Sequence, residues 1–314
     1  RQQILQFFNQ LSKGVELAKQ VKIDKTYEKV IICGMGGSSI AGEMLVFWQE
    51  ATGMPPTFYI HRDYDLPAWV SENDLVICVS WSGNTEETLS CYGAAIKSGI
   101  PVVSITTGGK LEELSKKDGN PLVLIDDKDL KPRMGAGYMT AALFQLLGLG
   151  HPAAEVAVAL SRIDQSRMES KGKELADKIR SEKTPLLYSS YKWRIIPKLW
   201  KILFNENDKI HAFWNYFPGM AHNELVGFTK RSTVNSEQST TNFYPIFFKD
   251  AGDDKRQNKN IDTAIAILDK MEYNYSIVNL SSDGNPSNPL ETLLNNYILA
   301  LWTTYYLAKK IGVN

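Results

Sequence analysis

Apolar residues fall into short unbroken runs and longer periodic ones along this chain. Lys29-Val-Ile-Ile-Cys33 and Leu75-Val-Ile-Cys-Val79 are runs too short for helices and too apolar for exposed strands. Such runs predict strands buried on both faces of a parallel sheet. Thr57–Ile60, Val102–Ile105 and Leu122–Ile125 add three more. Helical periodicity fills the gaps at Ile40–Gln49, Glu86–Ser98 and Glu112–Lys116, and Gly135–Leu147 closes the series as an apolar helix. Strands alternating with helices of this length imply βαβ crossovers.

The segment Gly148-Leu-Gly-His-Pro152 breaks the pattern, and a charged amphipathic stretch, Ala153–Arg180, follows as the connection to a second series. Strands are then expected at Leu186–Ser189, Lys209–Trp214, Tyr244–Phe248 and Tyr275–Leu280. Helices are expected at Trp193–Phe204, His222–Gly227, Ile261–Met271 and Leu290–Ile311, with Gly252–Asn260 as a mobile loop. The halves match in element order though not in sequence. The reading is an α/β protein of two similar three-layer αβα sandwiches with mainly parallel sheets, residues 1–150 and 151–314.

Composition narrows the classes. In 314 residues, Lys+Arg and Asp+Glu are 35 each, which gives no basic surface for nucleic acid. No apolar stretch approaches the ~20 residues of a membrane span, and the first residues lack the apolar core of a signal peptide. The missing initiator Met suggests a trimmed start. Cys33, Cys78 and Cys91 lie in or beside apolar runs without CxxC spacing. They fit small buried thiols in a reducing cytoplasm, not disulfides or a metal site.

The densest chemistry lies in Val79-Ser-Trp-Ser-Gly-Asn-Thr-Glu-Glu-Thr88. Ser80, Ser82 and Thr85 follow a strand and precede a helix, with Asn84 or Thr85 as its cap. Hydroxyls at a helix amino-terminus suit a phosphate. The loop has no Lys or Arg and two Glu, which favours a single phosphate over a polyphosphate. Gly34-Met-Gly-Gly-Ser-Ser39 fits a dinucleotide turn poorly, because Ser39 stands at the third Gly position. It is either a plain tight turn or a loop facing Ser80–Thr85 across one crevice. Arg133 follows the fifth strand; it is either a solvated charge or a stabiliser of a developing oxyanion. Glu206, near a helix carboxyl end, opposes the dipole and is locally unexplained: a plain loop acid, or a functional misfit. His222 is expected to open a helix, whose positive end would keep its ring neutral and able to exchange protons. No His cluster suggests zinc.

Together the motifs GMGGSS, SWSGNTEET, ITTGG, PR, FNEN and HNE, in this order, resemble the bifunctional phosphoglucose/phosphomannose isomerases, which carry two sugar isomerase (SIS) domains. The resemblance runs from about Lys29 to Asn314, and the most specific part is the sixteen-residue spacing from Glu206 to His222. It implies an aldose–ketose isomerase interconverting glucose 6-phosphate and fructose 6-phosphate, and mannose 6-phosphate as well, through a cis-enediolate, with no cofactor and no metal. It implies that Gly36, Gly37 and Ser38 line the sugar-phosphate site and that Ser80, Ser82 and Thr85 hold the phosphate. Arg133 would stabilise the enediolate, Glu206 would be the C2–C1 base, and His222 would open the ring from the neighbouring subunit of a homodimer. Ser39 and Trp81 stand where the family usually has Gly and Tyr. Relatives continue beyond the position of Asn314 with a segment carrying an active-site Thr and Lys. The alternatives are a noncatalytic sugar-phosphate-binding SIS regulator, an isomerase of another sugar phosphate, and a nucleotide-dependent enzyme.

Overall fold

The computed structural model describes residues 1–23, 25–179, 183–228, 242–280 and 288–313. The chain divides into two units, Arg1–Arg162 and Ile163–Asn314.

In the first unit the strands are β1 (Lys29–Cys33), β2 (Thr57–His61), β3 (Leu75–Ser80), β4 (Val102–Thr106) and β5 (Leu122–Leu124), in the order β2-β1-β3-β4-β5. Every pairing is parallel, with Cys33 opposite Cys78 and Val79 opposite Ile105. The helices are α1 (Gln2–Leu5), α2 (Phe7–Ala18), α3 (Ser39–Thr52), α4 (Glu86–Lys97), α5 (Gly109–Asp118), α6 (Ala136–Leu146) and α7 (Gly150–Ser161). Alternation along the strands separates the layers. Ile31, Cys33, Val76 and Cys78 pack with Cys91, Tyr92 and Ala95 of α4 and Leu111 of α5. Ile32, on the other face, lies so close to Gly42 of α3 that a Cβ there would be 3.0 Å from its methyl. The three cysteines are buried and free, all in one core cluster.

Residues 2–18, which carry no assignment from the sequence pattern, form α1 and α2. The second of these buries Phe7, Gln10, Leu11, Gly14, Val15 and Ala18 at helical spacing. Gly14 lets α2 approach α6, since a Cβ would stand 2.5 Å from the Tyr138 carbonyl oxygen.

The second unit holds β6 (Thr184–Ser190), β7 (Phe213–Phe217), β8 (Phe243–Lys249) and β9 (Ser276–Asn279) in the order β7-β6-β8-β9, again all parallel. Its helices are α8 (Gln165–Lys178), α9 (Ile195–Leu203), α10 (Lys255–Lys270) and α11 (Pro289–Ile311). Tyr188, Phe217 and Phe247 pack on Ile261, Ala264 and Leu268 of α10. On the other face the Trp200 ring meets Phe248 edge-on at 5.0 Å and donates to the Asn296 carbonyl of α11. Two three-layer α/β sandwiches with parallel sheets result. Among the described residues, no helix is long and apolar enough to cross a membrane.

Three local expectations change. The stretch Ala153–Arg180 is not one segment. Arg162 ends α7, and Asp164 caps α8 by accepting the Arg167 amide at 3.0 Å; Arg180 lies outside the described residues. The strand expected at Lys209–Trp214 is β7 at Phe213–Phe217. Lys209 takes a left-handed φ of 58° and the Ala212 amide donates to Asn205, so neither is available to a sheet. Finally, the expected loop Gly252–Asn260 turns helical at Lys255, because Asp254 accepts the Arg256 amide at 2.8 Å.

Gly172 of α8 packs on α11, where an added Cβ would lie 2.4 Å from Trp302 Cβ and 3.0 Å from the Thr303 amide nitrogen. Gly172→Ala gains about 1 kcal/mol of helix propensity but loses about 1–3 kcal/mol to overpacking. The expected net result is a lower urea midpoint by far-ultraviolet circular dichroism. A raised midpoint would show that the two helices separate without penalty.

Candidate active site

Parallel pairing delivers the loops after β1, β3 and β4 to one edge of the first sheet, where the order reverses between β1 and β3. That crevice is the usual ligand position of an open α/β sheet. The first loop makes a tight helical turn, Gly36–Ser38, begun by Gly36 at φ 50°. Ser38 is buried, and its Oγ accepts the Trp81 amide at 3.0 Å, tying the first loop to the one after β3. Of the two readings of GMGGSS, the facing loop is the one observed.

Ser80 ends β3 fully buried. Its Oγ accepts the Gly83 amide at 3.1 Å and lies 2.9 Å from Thr85 Oγ1. Ser82 is exposed and accepts the Asn84 amide at 3.2 Å. Gly83, at φ 68°, touches the loop after β4 so closely that a Cβ would stand 1.8 Å from the Gly108 carbonyl oxygen. Thr85, one of the two expected caps, holds the capping position of α4 but makes no side-chain cap, its hydroxyl being turned to Ser80. Asn84 instead accepts the Lys110 amide at 3.0 Å in the first turn of α5. The first turn of α4, a twelve-residue helix, therefore keeps N–H groups that its capping residue does not satisfy.

Arg133 joins this edge through its backbone. A Cβ on Gly37 would lie 2.6 Å from the Arg133 nitrogen. The turn around Arg133 is fixed on one side by Gln10 of α2, which donates to the Met134 carbonyl at 2.8 Å. On the other side Gly135 lies against the Trp81 ring, 2.2 Å from where its Cβ would be. Arg133 is half-buried. Gly36, Gly37, Ser38, Ser80, Ser82, Thr85 and Arg133 thus share one edge of the first unit. The sequence reading missed Trp81, Asn84 and Gly135 as the parts that hold this edge. Only Trp81, as the aromatic in a hydroxyl-rich loop, carried a signal.

Within the second unit, Glu206 sits on a wide turn with π geometry, Phe204–Asp208, that extends α9. Its two flanking asparagines are anchors. Asn207 Nδ2 donates to Thr304 Oγ1 of α11 at 2.8 Å, and Asn205 Oδ1 accepts the Ala212 amide at 3.1 Å. Lys209 Nζ donates to the Glu206 carbonyl at 2.8 Å. The half-buried Glu206 side chain is presented between these fixed points. Single-turn π insertions recur at functional sites.

His222 corrects an expectation. It does not open a helix; it ends the short turn Gly219–His222. Asn223, at φ −140° and ψ −61°, separates it from the next turn, Glu224–Phe228. The helix-dipole argument for a neutral ring therefore does not apply. His222 is exposed, while Met220 and Phe228 anchor the segment in the core around Tyr188. Glu224 accepts the Tyr188 hydroxyl at 3.0 Å and an Asn215 amide hydrogen, so the acid of the HNE motif is a brace. Burial first, and then Glu224, push the Tyr188 hydroxyl well above its usual range.

Residues 168–314 match the bacterial phospho-glucose isomerase C-terminal SIS domain. The chain is 31% identical to the bifunctional phosphoglucose/phosphomannose isomerase of Aquifex aeolicus over 98% of this chain and 91% of that one. The chain belongs to the bifunctional phosphoglucose/phosphomannose isomerase family. A D-glucosamine-6-phosphate 4-epimerase of Sulfolobus acidocaldarius is 30% identical over 71% of this chain and 69% of its own. In fold, a hypothetical protein of Thermus thermophilus superposes with a TM-score of 0.74 at 14% identity, covering 98% of this chain and 85% of that one.

One residue of this isomerase-family chain carries no sequence signal. Asp208, on the turn that carries Glu206, is 1% exposed. Among the described residues no side chain bonds either carboxylate oxygen, and the Ala308 backbone of α11 is the one group beside it that favours the charged form. Burial pushes the carboxyl up to about 8, and the Ala308 backbone offsets only part of that. The folded state therefore keeps this proton, between about pH 4 and about pH 8, where the unfolded chain releases it. Stability falls as pH rises through that window and levels off above it. Asp208→Asn removes this slope. Its stability advantage over wild type by urea titration is expected to grow from near zero at about pH 4 to a few kcal/mol at about pH 8. Parallel curves for the two proteins would refute the buried-acid account.

Proposed function

We propose that this protein is an aldose–ketose isomerase that interconverts glucose 6-phosphate, mannose 6-phosphate and fructose 6-phosphate. The observation that carries this reading is near full-length membership of the isomerase family, in a chain that presents Glu206 between two anchored asparagines. Ser80, Ser82, Thr85 and the uncapped first turn of α4 hold the phosphate with neutral donors, and Gly36, Gly37 and Ser38 line the sugar beside it. Phosphate binding energy fixes C1 and C2 for reaction. His222 moves the ring-hydroxyl proton and opens the pyranose. Glu206 takes the C2 proton of the aldose, giving a cis-enediolate, and returns it at C1. A positioned base contributes about 10²–10⁴-fold. Arg133 offsets the enediolate charge. His222, exposed on its own chain, acts in the neighbouring subunit of a homodimer.

A second reading, sugar-phosphate 4-epimerisation, is favoured by the Sulfolobus acidocaldarius relative. Proton exchange separates the two. In deuterated water, an isomerase places solvent deuterium at C2 of glucose 6-phosphate, whereas a 4-epimerase given glucosamine 6-phosphate inverts C4.

The expected result is conversion of fructose 6-phosphate to both aldoses in a coupled assay, with no change at C4 of glucosamine 6-phosphate. Glu206→Gln should lower kcat by at least about a hundredfold and abolish deuterium uptake at C2; retained uptake would dismiss Glu206 as the base. Mixing inactive Glu206→Gln with inactive His222→Ala, followed by subunit exchange, should restore part of the activity. No recovery would argue against a His222 that serves the other subunit.

A further inference from the structure

We propose that Asp208, in its protonated form, is a positioning residue that holds the Phe204–Asp208 turn closed and Glu206 in place. The proposal rests on the reading of Glu206 as the base. Both groups belong to one five-residue turn, whose Lys209 amide closes back on the Phe204 carbonyl. The contacts that order the turn include Asn207 to Thr304, Asn205 to Ala212, and the Lys209 side chain to the Glu206 carbonyl.

At the base of this turn lies a carboxyl that is 1% exposed and that no side chain among the described residues bonds. A neutral carboxyl is tolerated in such a place. A carboxylate is not, because no side chain replaces its hydration and the Ala308 backbone offsets only part of the loss. The elements packed on the turn are α9 and α11. Those two helices and the turn carry the titratable side chains Lys198, Lys201, Glu206, Lys209, Glu291, Tyr297, Tyr305, Tyr306, Lys309 and Lys310. None contributes a compensating charge; burial and the Ala308 backbone alone set the Asp208 proton affinity. Once the proton leaves, the carboxylate reaches water by opening the turn, and Glu206 moves with it. Loss of activity on the alkaline side then follows from a residue that touches no substrate.

The experiment has two readouts on wild type and Asp208→Asn at about pH 7 and about pH 9.5. One is amide hydrogen exchange over residues 204–209, corrected for the intrinsic pH effect. The other is kcat for fructose 6-phosphate. In wild type, protection of the turn and kcat should both fall by about tenfold or more, since each pH unit past the Asp208 midpoint is a factor of about ten in its protonated fraction. In Asp208→Asn, which is neutral at both pH values, the ratio of each readout between the two should stay within about threefold of unity. β6 should keep its protection in both proteins.

Equal alkaline loss in both proteins overturns the proposal, and so does a wild-type turn that stays protected at the higher pH. The wild-type exchange measurement stands by itself if the variant does not fold. A turn that opens in wild type without loss of kcat overturns the link to Glu206. In that case deuterium uptake at C2 by Glu206→Gln shows whether the assignment of the base has failed as well.

Discussion

Parallel pairing of β1 with β3 governs the first unit. With Cys33 opposite Cys78, β3 runs on past the end of β1 to Ser80, and the two loops emerge side by side. The Ser38 hydroxyl then reaches the Trp81 amide, and each loop becomes part of the other's support. The approach leaves no space for side chains at the contacts. Gly34 would place a Cβ 2.8 Å from the Val79 carbonyl oxygen, and Gly37 and Gly135 are held as closely by the Arg133 turn and Trp81. A one-residue slip of β1 against β3 would reverse the faces of Ile31 and Ile32 and separate these loops. Core packing and the site edge are therefore one constraint.

The second unit follows the same parallel plan with the opposite use of its strand ends. After β8 comes Asp250, which is buried and receives Lys192 Nζ, the Trp193 indole N–H and the Gly252 amide. Burial pushes its carboxyl up, yet those three donors together bring it below the usual range. Ser190, at the end of β6, is hydrogen-bonded to Asp253. Carboxylates of the chain itself thus occupy the donors that an external anion would need. In the first unit the loop after β3 offers neutral hydroxyls and leaves the α4 terminus without a side-chain cap. The two sandwiches share an architecture and differ in use: one presents donors at its strand ends, while the other presents Glu206 and His222 on segments braced by its core.

Periodicity makes most of the architecture legible, because buried parallel strands and their crossover helices leave local signatures. The failures have local causes too. The helices α1 and α2 precede the first strand, so no βαβ alternation marks them, although Phe7, Leu11, Val15 and Ala18 of α2 fall at helical spacing. The register of β7 shifts because Lys209–Ala212 is committed to closing the Glu206 turn, a tertiary use of a β-prone segment. His222 reads as a helix start because of its neighbours, while the backbone of Asn223 breaks the segment. Of the site edge, the hydroxyls and glycines are readable directly, since their types are unusual in so short a space. Their supports are not. Gln10 lies 124 residues from Met134, whose carbonyl it holds, and Trp81 is likewise remote in sequence from the Gly135 it covers; only folding joins them.

Asp208 shows why the rest escapes a sequence reading. In sequence it is one more acid in FNEND, and nothing local says that it is buried. Its burial follows from the packing of α9 and α11 on the turn, elements whose Leu203, Phe204 and Leu307 are likewise withdrawn from water. An acid without a side-chain partner in such a setting destabilises the fold, while the buried apolar side chains of the same elements stabilise it by about 1.5–3 kcal/mol each. The unit thus bears a locally unfavourable group next to well-packed ones. Such a group is expected where backbone shape matters more than stability. The wide turn supplies that shape: it extends α9 with a half-buried acid and fixes the asparagines on either side. Glu206 is held firmly by a segment whose own closure is conditional, and the condition is the proton on Asp208.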